Sequence, residues 1–178
     1  MKGCNLHLSV GERVLLRGEN GSGKTTLLCI LTGLDAPDGG RLSRSVPVEN
    51  IAFSLQEESI LHVSTEELSQ FLIWNGTIDP NALNAHFRGF SVEDLTQKSL
   101  SDLSPGERKK LLLVRSLLRE APFLLLDEPL NHLDAAGRAA LGRYLAGRTG
   151  ILLVSHQEPD LPGLSFRPFS LAVSASKK

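Results

Sequence analysis

Apolar residues alternate with polar ones at Leu6, Leu8 and Val10, and beyond Gly11-Glu12 they run together in Val14-Leu15-Leu16. Alternation, a turn and an apolar run predict a strand pair near the start of the chain. A glycine-rich loop follows. Thr25 to Leu31 then reads as a helix, closed by Gly33 and by a turn from Pro37 to Gly40. Asn50 to Gln56 predicts another strand, with Ile51, Phe53 and Leu55 on one face.

From Ser64 to about Gln97 the apolar spacing turns helical. Ser64-Thr65-Glu66-Glu67 is a Ser-x-x-Glu capping box, in which each residue satisfies a backbone donor of the other. Asp79-Pro80 starts a second helix, with Leu83 and Phe87 on its apolar stripe, and Ser91-Val92-Glu93-Asp94 starts a short third. Beyond this all-helical insert the pattern predicts a helix over Ser104 to Arg119 and a buried strand over Phe123 to Asp127. A helix over Ala135 to Leu145 and a strand over Ile151 to Ser155 complete it. Strands that are apolar on both faces and alternate with helices point to an α/β fold with a mostly parallel sheet. The expected organisation is one unit spanning 1–178. Its α/β core covers about 1–60 and 104–172, and its helical subdomain about 61–103.

Composition narrows the class without naming it. A chain of 178 residues is about one domain on a prior of roughly 150 residues each. The net charge of -1 argues against a strongly basic nucleic-acid binder, while leaving room for a local basic patch. Cys4 and Cys29 have no CxxC or histidine-rich neighbourhood, so they read as apolar residues in a reducing cytosol. No apolar run approaches the roughly 18 residues of a membrane span, and the first residues lack the pattern of a secretory leader. A cytoplasmic location is the expectation.

Gly18-Glu19-Asn20-Gly21-Ser22-Gly23-Lys24-Thr25 fits G-x-x-x-x-G-K-[ST] and lies between a predicted strand and a predicted helix. Glycines let successive backbone N–H groups face one anion, and the following helix adds its positive end. Asn20, Gly21, Ser22, Gly23, Lys24, Thr25 and Thr26 are therefore candidate contacts to the phosphates of ATP or GTP. Lys24 would reach the β- and γ-phosphates, and the Thr25 hydroxyl would sit on Mg²⁺. Phe123-Leu124-Leu125-Leu126-Asp127-Glu128 places two carboxylates at the end of a buried strand. Asp127 suits Mg²⁺ and its waters. Glu128 is placed to orient or deprotonate an attacking water.

Leu103-Ser104-Pro105-Gly106-Glu107 begins a helix: Ser104 caps, Pro105 takes the first helical position, and Glu107 completes a capping box. The same residues, upstream of the Asp-Glu strand, resemble the LSGGQ signature of ATP-binding cassette proteins. Further elements match in family order. Gln56 resembles the Q-loop glutamine that contacts metal and water, Asn131-His132-Leu133-Asp134 resembles the D-loop, and His156 resembles the switch histidine that contacts the γ-phosphate. The resemblance implies a P-loop NTPase core with a small antiparallel β part and an inserted helical subdomain. It also implies an ATPase acting as a head-to-tail dimer with a second cassette. Glu128, His156 and Gln56 are then its catalytic residues, Thr25, Gln56 and Asp127 its metal side, and Ser104 and Gly106 its contacts in trans.

Leu103 to Asp134, with SPGE in the signature and DEPLNHLD at the end, looks most like the F-subfamily (ABC-F), whose members act on ribosomes. That resemblance implies a ribosomal partner. The alternatives are the nucleotide-binding subunit of a membrane transporter, with separate spanning subunits as partners, and a hydrolysis-poor nucleotide switch. The chain departs from the F-subfamily in holding one cassette and no long charged helical linker. Its first aromatic is Phe53, so the family's upstream adenine-stacking aromatic has no counterpart, which implies a fragment or weaker base recognition. Arg108, Lys109, Lys110, Arg115 and Arg119 make the signature helix basic, read first as a solvated face and alternatively as an RNA contact.

Overall fold

A computed structural model describes residues 4–55, 88–91, 102–131, 133–148 and 150–171. Its strands are β1 (Arg13–Arg17), β2 (Ile51–Ser54), β3 (Phe123–Asp127), β4 (Ile151–Val154) and β5 (Arg167–Ser170). Its α-helices are α1 (Lys24–Thr32), α2 (Pro105–Leu118) and α3 (Ala135–Ala146). The strands form one sheet in the order β2-β3-β4-β1-β5, and each pairing is parallel.

The strand sequences show why both faces are covered. Along β3, Phe123 and Leu125 enter one apolar cluster while Leu124 and Leu126 enter another. The first cluster contains Leu27 and Leu28 of α1. The second contains Leu111, Leu113, Val114 and Leu117 of α2 together with Ala140, Leu141 and Leu145 of α3. One helix thus packs on one face and two on the other. Every residue of β3 and of β4 is buried, as a parallel sheet between helical layers requires. Each fully buried leucine contributes on the order of 1.5–3 kcal/mol of apolar transfer. Gly150 makes the entry to β4 possible. It adopts φ +77°, and a Cβ there would lie 2.2 Å from the carbonyl oxygen of Pro122.

One sequence expectation changes, one strand is added, and one expectation lies largely outside the described residues. Leu6 to Val10 forms no strand: Leu6 and Leu8 are part-buried against the α1-side cluster, and Glu12 N–H donates to Ser9 O to close the turn. Alternation therefore reports one-sided burial of an unladdered segment, and among the described residues there is no antiparallel pairing. The fifth strand, β5, was not anticipated, because its Arg-Pro-Phe-Ser sequence is mostly exposed at the sheet edge. The helical insert lies largely outside the described residues, including Ser64 and the Asp79-Pro80 helix start. Within it, 88–90 are helical and Ser91 is a turn residue at φ 53°. Among the described residues, no helix is long and apolar enough to cross a membrane.

Candidate active site

The parallel arrangement gathers the predicted chemistry at one edge, the carboxyl ends of β1, β3 and β4, where ligands of open α/β sheets bind. From β1 the chain enters the glycine-rich loop. Gly23 caps α1 in the left-handed conformation, φ 94°, which keeps a side chain out of the turn. No side chain caps α1 and its first turn holds no acidic residue, so its amides and positive end face the loop. Lys24 is buried, and its Nζ donates to the carbonyls of Gly18 at 2.8 Å and Glu19 at 2.9 Å. Ser22 is also buried, and its Oγ has no hydrogen-bond partner.

From β3 come the two carboxylates. Asp127 is 2% exposed and accepts a hydrogen bond from the Thr25 hydroxyl at 2.9 Å, joining two of the three predicted metal-side groups. Glu128 follows at φ 48°, a strained backbone for a non-glycine residue and one that recurs at functional sites. Its backbone N–H donates to Val154 O at 3.0 Å, fixing the turn against β4. Glu128 is 6% exposed, and its buried Oε1 has no hydrogen bond. Burial pushes its carboxyl above the ordinary range and Asp127 adds to that, while His156, through its charge and its backbone N–H, and Lys109 pull it down.

From β4 comes His156, whose Nε2 lies 3.4 Å from Glu128 Oε1. Gln157 N–H donates to Ser155 Oγ, and Glu158 pairs with Arg17, the residue before the phosphate loop. Four of the predicted groups, Lys24, Thr25, Asp127 and Glu128, are thus within one strand-end cluster with His156 beside them. Gln56 and His132 lie outside the described residues.

A hard divalent cation suits this donor set. Thr25 and Asp127 present a hydroxyl and a carboxylate oxygen already in contact, and Mg²⁺ is ordinarily held by one or two such groups plus phosphates and water. Among the described residues no three His, Cys, Asp or Glu converge, so an all-protein metal cage is absent there.

The signature segment is built as expected. Ser104 caps α2, its Oγ accepting from Glu107 N–H at 3.3 Å, while its own N–H donates to Glu107 Oε2 at 2.7 Å. These bonds run within the segment, and α2 packs on the sheet face opposite α1. Asp134 caps α3 by accepting from Gly137 N–H at 2.8 Å.

Two features were not legible beforehand. Lys109, placed by its charge on a solvated face, is 9% exposed and contributes to the electrostatics of Glu128. Arg115 is also withdrawn from water: burial first, then Arg119, lowers its pKa to about 10. Helical phase is the signal that could have shown this, since Lys109 shares its buried side with Leu113, Ser116 and Leu117.

A phosphate-binding loop between an inner parallel strand and a helix, with an Asp-Glu pair at the end of the strand next but one, across β4, defines a P-loop NTPase fold. The family described as ABC transporter matches residues 1–131. The chain is 39% identical to the zinc import ATP-binding protein ZnuC of Pseudomonas fluorescens (strain Pf0-1), over 85% of this chain and 60% of that protein. It is 33% identical to the cytochrome c biogenesis ATP-binding export protein CcmA of Rhodobacter capsulatus, over 88% and 73%. It is 36% identical to the ribosome protection protein VmlR of Bacillus subtilis, over 87% of this chain but 28% of VmlR. A solved ATP binding subunit of an ABC transporter shares the fold at TM-score 0.70 and 24% identity, covering 85% of this chain and 70% of that one. The chain belongs to the ABC transporter family, and its fold is that of the family's ATPase domain. It spans 56% and 60% of the length of two of its ZnuC relatives.

Proposed function

We propose that this chain is the nucleotide-binding ATPase cassette of a transporter, hydrolysing ATP in a site completed by a second cassette. The observation that carries the reading is the strand-end cluster in which Lys24, Thr25, Asp127, Glu128 and His156 converge beside an uncapped helix start. Transport relatives such as ZnuC and CcmA support the partner class, which would be separate membrane-spanning subunits.

In this reading the amides from Asn20 to Thr26 hold the phosphates, and Lys24 exchanges its contacts with Gly18 and Glu19 for phosphate oxygens. Mg²⁺, when bound, would neutralise phosphate charge, with Thr25, Asp127 and Gln56 as its protein side. Glu128 orients the attacking water and takes its proton at the carboxylate. Burial favours that role by raising its basicity. His156, half-exposed at 3.4 Å from Glu128, would contact the γ-phosphate and hold the Glu128 carboxylate in position. Ser104 and Gly106 act on the nucleotide of the partner cassette. A two-fold pair of chains would therefore contain two such sites.

The test is Glu128→Gln. It should reduce steady-state ATP hydrolysis on the order of 10²- to 10⁴-fold while nucleotide affinity is retained. Hydrolysis at the wild-type rate would remove Glu128 from its role, and absent hydrolysis in the wild-type chain would favour a nucleotide switch instead.

A second reading is supported by the identity to VmlR and by the resemblance of Leu103 to Asp134 to the F-subfamily. Affinity purification distinguishes the two. A stable complex with an integral membrane protein supports the transporter reading, and salt-sensitive co-sedimentation with ribosomes supports the other.

A further inference from the structure

Closing a composite site requires the start of α2 to offer donors to a phosphate, and this chain has already committed most of them. Of the first four positions, Pro105 has no N–H, and the Ser104 N–H is held by the Glu107 carboxylate at 2.7 Å. The Glu107 N–H is in turn held by the Ser104 hydroxyl at 3.3 Å. Among the described residues Gly106 alone keeps a first-turn amide outside this closed ring, with the Ser104 hydroxyl as its neighbour. A carboxylate thus sits on a donor at the end of a helix that the proposed mechanism assigns to a γ-phosphate.

We propose that Glu107 is a resident anion at this seat, setting how much ATP is needed to close two copies of the chain together. The inference rests on the in-trans reading proposed above and adds a regulator to it. In the closed state the carboxylate faces the phosphate across the same helix end, so part of the attraction between them is cancelled. At separations of about 6–8 Å, with a near-surface dielectric of about 20 and screening by physiological salt, two like charges weaken binding on the order of tenfold. Glutamine would remove the charge without opening the helix, because its amide oxygen can accept the same Ser104 N–H in the capping box.

The experiment titrates the full chain with a non-hydrolysable ATP analogue and Mg²⁺, reading monomer and dimer by light scattering after size exclusion. Wild type, Glu107→Gln and Ser104→Ala are compared, with thermal melting to confirm folding. Glu107→Gln should lower the analogue concentration at half-dimerisation on the order of tenfold, and the gap from wild type should narrow at high salt, as a charge effect must. A midpoint that Glu107→Gln leaves within twofold of wild type, or raises, overturns the proposal. So does a gap indifferent to salt, which would mark a role in helix packing. A midpoint that Ser104→Ala leaves unchanged removes the in-trans seat itself, so failure of the parent reading is distinguishable from failure of this one.

Discussion

Two helix starts in this molecule are treated in opposite ways. At α1, a left-handed glycine stands where a capping side chain would be, and the first turn is free of acid. At α2, a serine, a proline and a glutamate close the end with a complete capping box. A capped start stabilises its own helix; an uncapped one leaves its donors for something else. In the function proposed above, α1 gives up local stability to leave its donors for phosphate. The α2 start is built first as a helix, and any ligand there must compete with Glu107.

Breaking the open end should have the largest effect. Lys24→Ala should weaken nucleotide binding on the order of 10²-fold or more, read by titration with a fluorescent ATP analogue, because a charge-assisted contact to phosphate is lost. Unchanged affinity would mean that the loop does not hold phosphate. Converting the open end into a closed one comes next. Thr26 is exposed at the third helical position, where Glu107 stands in α2. Thr26→Glu should weaken nucleotide binding roughly tenfold while raising the stability of the nucleotide-free chain by about 0.3–1 kcal/mol, since an acid near a helix start favours the helix dipole and opposes an anion. Weaker binding with no gain in stability would point to steric blocking instead. The third helix sharpens the contrast with a smaller effect. Asp134→Ala removes the α3 cap and should cost about 1 kcal/mol of unfolding free energy in urea. A negligible cost would mean that capping does not govern these helices.

The sequence pattern reads best where a residue's local role and its tertiary role coincide. Phe123 to Asp127 is apolar because it is buried on both faces, so its boundaries are found as predicted. The phosphate loop and the Ser104 cap are equally legible, because their chemistry is local: glycines for a turn, a serine and a glutamate three residues apart for a cap. Legibility fails where a neighbour decides. Leu6 and Leu8 alternate as a strand would, yet they lie against the α1-side cluster without a ladder. Lys109 carries a charge that suggests solvent, yet helical phase turns it inward toward Glu128. The 3.4 Å approach of His156 to Glu128 joins β4 to β3 and could be anticipated only through family order, since no spacing along the chain encodes it. Partner class is not carried by these residues at all. The chain is similar to the transport relative ZnuC and to VmlR at 39% and 36% identity, so overall similarity does not choose between them.

Pro168 has a consequence for how copies of this chain can meet. Leu171 N–H donates to Arg17 O across the β1–β5 pairing, so by alternation the backbone of Pro168 points to the outer rim of the sheet. A ring nitrogen replaces a donor there, and the rim cannot present an unbroken row of partners to another strand. Growth of the sheet from this side into a ribbon of stacked molecules is thereby discouraged.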